Sequence, residues 1–170
     1  PAIGYLQEAV RWWDHWLKGI DTGIMREPML RAWMQDPVPP LTTYDERPGR
    51  WVAESEWPAR RIPSRRWRLG ASSLGDPPAS SVARAWTSPQ TTGFAAGHWC
   101  AFGIVGEMPA DQRIDDGRSL TFDSAPLAER LEILGAPVAT LEIEADKPVA
   151  MIAVRLCDVA PDGASTRVTY

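Results

Sequence analysis

Cysteine and histidine are scarce in this sequence, and neither is spaced for chemistry. Two cysteines occur in 170 residues, Cys100 and Cys157. They stand far apart and outside any C-x-x-C arrangement, which argues against a metal knuckle or a disulfide scaffold. Two reduced, buried thiols are expected, with one disulfide as the alternative. The two histidines are His15 and His98. A serine-hydrolase elbow needs glycine two residues to either side of the serine, because the nucleophile sits on a strained strand-to-helix turn. None of the ten serines satisfies it: Ser72 follows Gly70 but precedes Leu74, and Ser73 precedes Gly75 but follows Ala71. A self-contained triad would have to join one histidine to a non-elbow serine. The expected role of His98 is therefore a loop imidazole hydrogen-bonded to backbone.

Other absences narrow the function further. No run approaches the 18 or more apolar residues of a membrane span, and the first residues carry no signal-peptide pattern. The net charge of −4 gives no field that would draw nucleic acid or an anionic membrane. No glycine-rich phosphate cradle is present. We expect no nucleic-acid or membrane partner, no cofactor and a cytoplasmic location.

Tryptophan and proline are abundant instead, with nine and sixteen residues. Tryptophan buries a large area and needs a partner for its N–H, so nine imply extensive packing surfaces or an aromatic-lined cleft, of which packing is the expected use. Ile3, Leu6, Val10, Trp13 and Leu17 recur at spacings of three and four, placing them on one face of a helix from about Ala2 to Lys18. Trp12 and Trp16 widen that stripe. Asp14 and Lys18 have the spacing of a helical ion pair, and Gly19 is placed to cap the end in a left-handed conformation. One helix cannot bury so apolar a face alone.

The rest of the chain reads as short strands and turns. Pro28 to Gln35 forms a first strand, and Pro37 to Gly49 is a proline-rich excursion. Trp51 to Pro58 and the basic Arg65 to Leu69 follow. Arg60, Arg61, Arg65, Arg66 and Arg68 cluster, but acids close by can pair with them, so a solvated face is expected rather than a phosphate site. Gly70 to Ser81 is a loop of small residues. Between Ser119 and Tyr170, apolar or alternating runs are punctuated by Ala-Pro, Gly-Ala-Pro, Asp-Lys-Pro and Pro-Asp-Gly. Ala139, Leu141, Ile143 and Ala145 alternate with more polar neighbours as a half-buried strand would, and Val149 to Val159 reads as a strand covered on both faces. Strands at this spacing predict a mainly β fold, a β-sandwich preceded by one amphipathic helix.

Glu107, Asp111, Asp115 and Asp116 could supply oxygen ligands to calcium, although they lack the spacing of an EF-hand loop. No residue is assigned a catalytic, cofactor-binding or metal-binding role.

Three segments carry a resemblance. RWWDHWLKGIDTG (Arg11 to Gly23) with Glu27 and Pro28, DDGRSLTFDSAPLAERLEILGAP (Asp115 to Pro137) and VRLCDVAPDGASTRVTY (Val154 to Tyr170) resemble the C-terminal portion of the CocE/NonD hydrolases. That family is related to cocaine esterase, α-amino-acid ester hydrolases and X-Pro dipeptidyl-peptidases. The resemblance implies that residues 1–20 are the last helix of an α/β-hydrolase domain. Residues 21–170 would then be an X-Pro dipeptidyl-peptidase C-terminal-like jelly roll, galactose-binding-like and cut short at its C-terminus. The Ser-Asp-His triad would lie before Pro1, so this chain would be inactive alone. Its partner would be the upstream hydrolase domain of the same protein, whose cleft it would cover and shape, with loops Asp36 to Arg50 and Gly93 to Gly106 facing that domain. The alternatives are a free-standing carbohydrate-binding jelly roll and a dimerisation domain, the unpaired sheet edge inviting a homodimer.

Overall fold

The computed structural model describes residues 4–75, 83–102 and 104–168. Among these residues, two helices and two 3-10 turns accompany three two-stranded antiparallel sheets. The chain divides into two compact units, Pro1–Asp36 with Arg47–Ser64, and Pro37–Glu46 with Arg65–Tyr170.

In the first unit, α1 spans Tyr5–Lys18 and ends as expected. Gly19 is left-handed at φ 67°, and the Ile20 N–H returns to the Asp14 carbonyl at 3.1 Å. Lys18 pairs with Asp14 at 2.6 Å. Ala2 and Ile3, where the predicted helix begins, lie outside the described residues. No helical residue of α1 is buried and its apolar stripe is open: Leu6, Val10, Trp12, Trp13, Trp16 and Leu17 are all exposed. Its polar side does the docking. Arg11 bonds Glu8 at 3.0 Å and also Glu27, while Arg31 reaches Glu27 at 3.1 Å and Glu8 at 3.7 Å. Two cations and two carboxylates thus tie α1 to the strand that follows, β1 (Leu30–Gln35).

Strand β1 pairs antiparallel with β2 (Gly49–Glu54), placing Trp33 opposite Trp51. Their rings meet edge to face, 5.4 Å between centroids and 73° between planes, and the Trp33 indole N–H donates to the Arg47 carbonyl at 3.2 Å. Buried Glu54 closes the end of β2 by accepting both Arg61 donors, and Arg60 pairs with Glu56 at 3.6 Å. These two arginines of the basic cluster are held by nearby acids, as expected.

The second unit holds β3 (Arg68–Leu69) and β4 (Leu74–Gly75), a hairpin inside what reads from the sequence as a longer strand and a loop. Residues 76–81 of that loop lie outside the described residues. Arg65 lies over the Trp67 ring at 5.1 Å. A short helix α2 (Arg113–Asp116) precedes β5 (Cys157–Val159) and β6 (Ser165–Arg167). These last two pair antiparallel across the Pro-Asp-Gly turn. There Gly163 donates to Ala160 at 2.8 Å, and the Asp162 carboxylate accepts the Ala164 N–H at 2.9 Å.

The largest difference from expectation lies between these elements. Ala139–Ala145 and Val149–Leu156 are not strands, and no backbone–backbone hydrogen bond forms among the described residues from 124 to 155. A period of two decides which side chains share a face, but a ladder also requires a partner backbone at about 4.8 Å, and none is seated here. Met151 is 98% exposed, with Val138 and Val149 nearly as open. Of the segment expected to be covered on both faces, residues 149–154 are bare and only Arg155, Leu156 and Cys157 are partly buried. Ala59 is the one apolar residue buried among the described residues.

The ion network gives a pH signature. The Arg11 hydrogen bond, aided by the charges of Arg11 and Arg31, holds the Glu27 carboxyl below its ordinary 4.5. A carboxyl depressed on folding stabilises the fold above its unfolded pKa, and that contribution is lost as pH falls through the folded value. In a carbon-detected NMR titration, Glu27 should show a midpoint below 4.5, and Arg11→Ala should return it toward 4.5. An unshifted Glu27 in the parent chain would contradict the network.

Candidate functional site

The best-built polar site lies around α2. Gln112 and Asp115 are completely buried, and Ser165 is 1% exposed. Burial of Gln112 and Asp115 is tolerated because their hydrogen bonds are made within the protein. Asp115 accepts the Gly93 N–H at 2.9 Å on one oxygen and the Ala95 N–H at 3.0 Å on the other. The Gln112 amide donates to the Ala95 and Ala110 carbonyls, both at 2.6 Å. Its remaining oxygen accepts Arg155 at 2.6 Å, and the other arm of that guanidinium reaches Asp116 at 2.9 Å. Arg155 also lies 3.9 Å from Asp115. The Gln112 N–H donates to the Ser165 carbonyl at 2.9 Å.

Four stretches of chain, near residues 93–95, 110–119, 155 and 165, are therefore joined through Gln112, Asp115 and Arg155. In the sequence Asp111, Asp115 and Asp116 stand out only as possible calcium ligands, and Arg155 only as one residue of the run from Val149 to Val159, so this role is missed. One signal was available: a lone arginine in an apolar strand needs a buried acid to pair with.

The four acids considered as calcium ligands do not converge. Asp111 bonds Arg113, and that bond, with the N–H groups of Arg113 and Ser165, holds its carboxyl below the ordinary value. Asp115 and Asp116 serve the cluster just described. Glu107 accepts the Phe102 and Ile104 N–H groups at 2.7 and 2.9 Å. Among the described residues, no group of three or more His, Cys, Asp or Glu side chains is placed to hold a metal ion.

His98 is exposed. Its imidazole Nδ1 lies 3.6 Å from Glu107, while its backbone N–H donates to the Glu107 carbonyl at 2.9 Å. The imidazole thus faces a carboxylate, not the backbone acceptor expected. His15 Nδ1 lies 3.2 Å from the Ile20 carbonyl. Neither imidazole meets a serine hydroxyl among the described residues. Both cysteines are free, and Cys100 is exposed rather than buried as expected. Burial pushes the Cys157 thiol pKa up. An open pocket of about 250 Å³ beside the cluster is lined by Arg113, Asp116, Thr121, Asp123, Val159 and Ser165.

These features describe a β-rich module whose buried polar groups hold the chain together and whose apolar groups lie open. The chain belongs to the family of X-Pro dipeptidyl-peptidase C-terminal non-catalytic domains, whose sequence profile matches residues 22–170. It is 32% identical over 176 aligned positions to a Mycobacterium bovis protein named "Putative serine esterase Mb1866c", and equally to "Putative serine esterase MT1883" of Mycobacterium tuberculosis. Each alignment takes in the whole of this chain and 26% of the relative, so the chain spans about a quarter of the length of these curated relatives. No solved structure matches it significantly. Among the described residues, no helix is long and apolar enough to cross a membrane.

The cluster makes a stability prediction. Arg155→Ala strands Asp116 and the Gln112 oxygen, and should cost roughly 2–3 kcal/mol in urea denaturation. Arg155→Lys, which keeps the charge but not the two-armed reach, should cost about half of that. A loss below about 0.5 kcal/mol for the alanine variant would show that the clamp is dispensable. In the chain alone, iodoacetamide should modify exposed Cys100 well before Cys157, with peptide mass mapping as the readout.

Proposed function

We propose that this chain is the non-catalytic C-terminal domain of a larger serine hydrolase of the acyl esterase or X-Pro dipeptidyl-peptidase type, and that it covers and shapes the cleft of an upstream catalytic domain. The observation that carries this reading is the open apolar face of α1. A stripe of three tryptophans, two leucines and a valine that nothing covers requires a large apolar counterpart. The family match and the greater length of the relatives support an upstream domain as that counterpart. In this reading residues 1–20 are the last element of the hydrolase domain. The charge network through Arg11, Glu27 and Arg31 then passes from one domain into the next. Residues 21–170 form the jelly roll once the bare segments from 138 to 156 gain pairing partners, and the whole protein works in the cytoplasm.

The cleft role has a physical rationale. Covering a catalytic site with apolar surface excludes water and strengthens the electrostatic stabilisation of charge developing at the reacting carbonyl. A carbohydrate-binding module would instead present coplanar exposed tryptophans for stacking on sugar rings. The ring pairs here are tilted, 51° for Trp12 and Trp16 and 73° for Trp33 and Trp51, which favours the hydrolase reading.

A fluorophosphonate probe tests it directly. Only a protein extended upstream through the catalytic domain should react, at a serine before Pro1. Labelling of a serine within the 170 residues would overturn the proposal.

A further inference from the structure

The segment from Gly93 to Gly106 presents Phe94, Trp99, Phe102, Ile104 and Val105 to solvent, Trp99 being 93% exposed. Exposed apolar side chains on a loose loop would lose much of any docking energy to ordering. Here the loop is held through its own backbone. Asp115 fixes the N–H groups of Gly93 and Ala95. Glu107, only 6% exposed, fixes those of Phe102 and Ile104 with a single oxygen. Thr43 Oγ1 accepts the Gly106 N–H at 2.8 Å, and the Thr42 carbonyl accepts that of Met108 at 3.0 Å. At Gly97, φ is +73° and an added Cβ would lie 2.6 Å from the Glu107 carbonyl oxygen, so the chain can pass there only as glycine. Gly103 lies outside the described residues. Between Gly97 and Gly106 there is no Asp, Glu, Lys or Arg, the composition of an interface centre rather than of a solvated loop.

Resting on the proposed reading, we infer that these five side chains form a pre-shaped docking surface for the catalytic domain of the same polypeptide, with Trp99 as its anchor and Glu107 as the positioning residue. The occupant follows from chain length. The domain family is non-catalytic, and the relatives are nearly four times as long as the region matched here. A rigid aromatic finger free of formal charge fits an apolar depression with an acceptor for the indole N–H.

Hydroxyl-radical footprinting of the full-length protein tests this by mass spectrometry. Trp99 should be modified at least tenfold more slowly than its exposure here dictates. Glu107→Ala, which frees the loop, should raise that rate severalfold. Glu107→Gln keeps an oxygen for the two N–H groups and should leave the rate unchanged. Modification of Trp99 at the rate of a free indole would overturn the inference. Protection that vanishes on dilution, together with a halved mass, would assign the surface to a second copy and overturn it equally. Fluorophosphonate labelling of the same sample keeps the two proposals apart, because an upstream serine can react whether or not Trp99 is covered.

Discussion

The second unit depends on one two-armed interaction. Arg155 enters an otherwise apolar run and spends its guanidinium on Gln112 and Asp116, so distant stretches of the chain share one anchor. A planar guanidinium suits this task because its donors leave in fixed directions and meet two acceptors at once. Asp115 and Gln112 extend the same logic to the backbone near Gly93 and Ala95. With these contacts made, the unit has a defined centre, although none of its described apolar residues is buried.

That centre inverts the usual distribution of residues. Buried side chains here are mostly polar, while large apolar ones lie open. Apolar surface exposed on this scale is costly in water, at about 25 cal/mol per Å², and it is concentrated on α1, on the 93–106 loop and on the segment from 138 to 154. Each of these is shaped by hydrogen bonds or by alternation rather than by chance composition. The proposed place of the chain inside a larger hydrolase gives all three a counterpart.

Local order was legible in the sequence where a single element decides it. The spacing of Leu6, Val10, Trp13 and Leu17, with Gly19 after Lys18, placed α1 within a few residues, and Pro161, Asp162 and Gly163 announced the β5–β6 turn. The strands expected at 139–145 and 149–159 failed except for Cys157–Val159, because alternation marks faces but cannot supply a neighbour. Periodicity shows which residues share a face, whereas pairing between Arg11 and Glu27, sixteen residues apart, is invisible to it. The site was least legible. Two of the three resembling segments meet in space, Asp115 and Asp116 from one against Arg155 from the other, yet nothing in either alone reveals that contact.

One property of the 93–106 loop bears on how such a domain can diverge. Asp115 and Glu107 grip main-chain N–H groups, which every residue but proline possesses, so the loop's path is encoded outside the side chains it displays. Selection can therefore exchange Phe94, Trp99 or Val105 while two carboxylates and a glycine keep the frame. The molecule separates inheritance of shape from inheritance of specificity, as a paratope does on its framework.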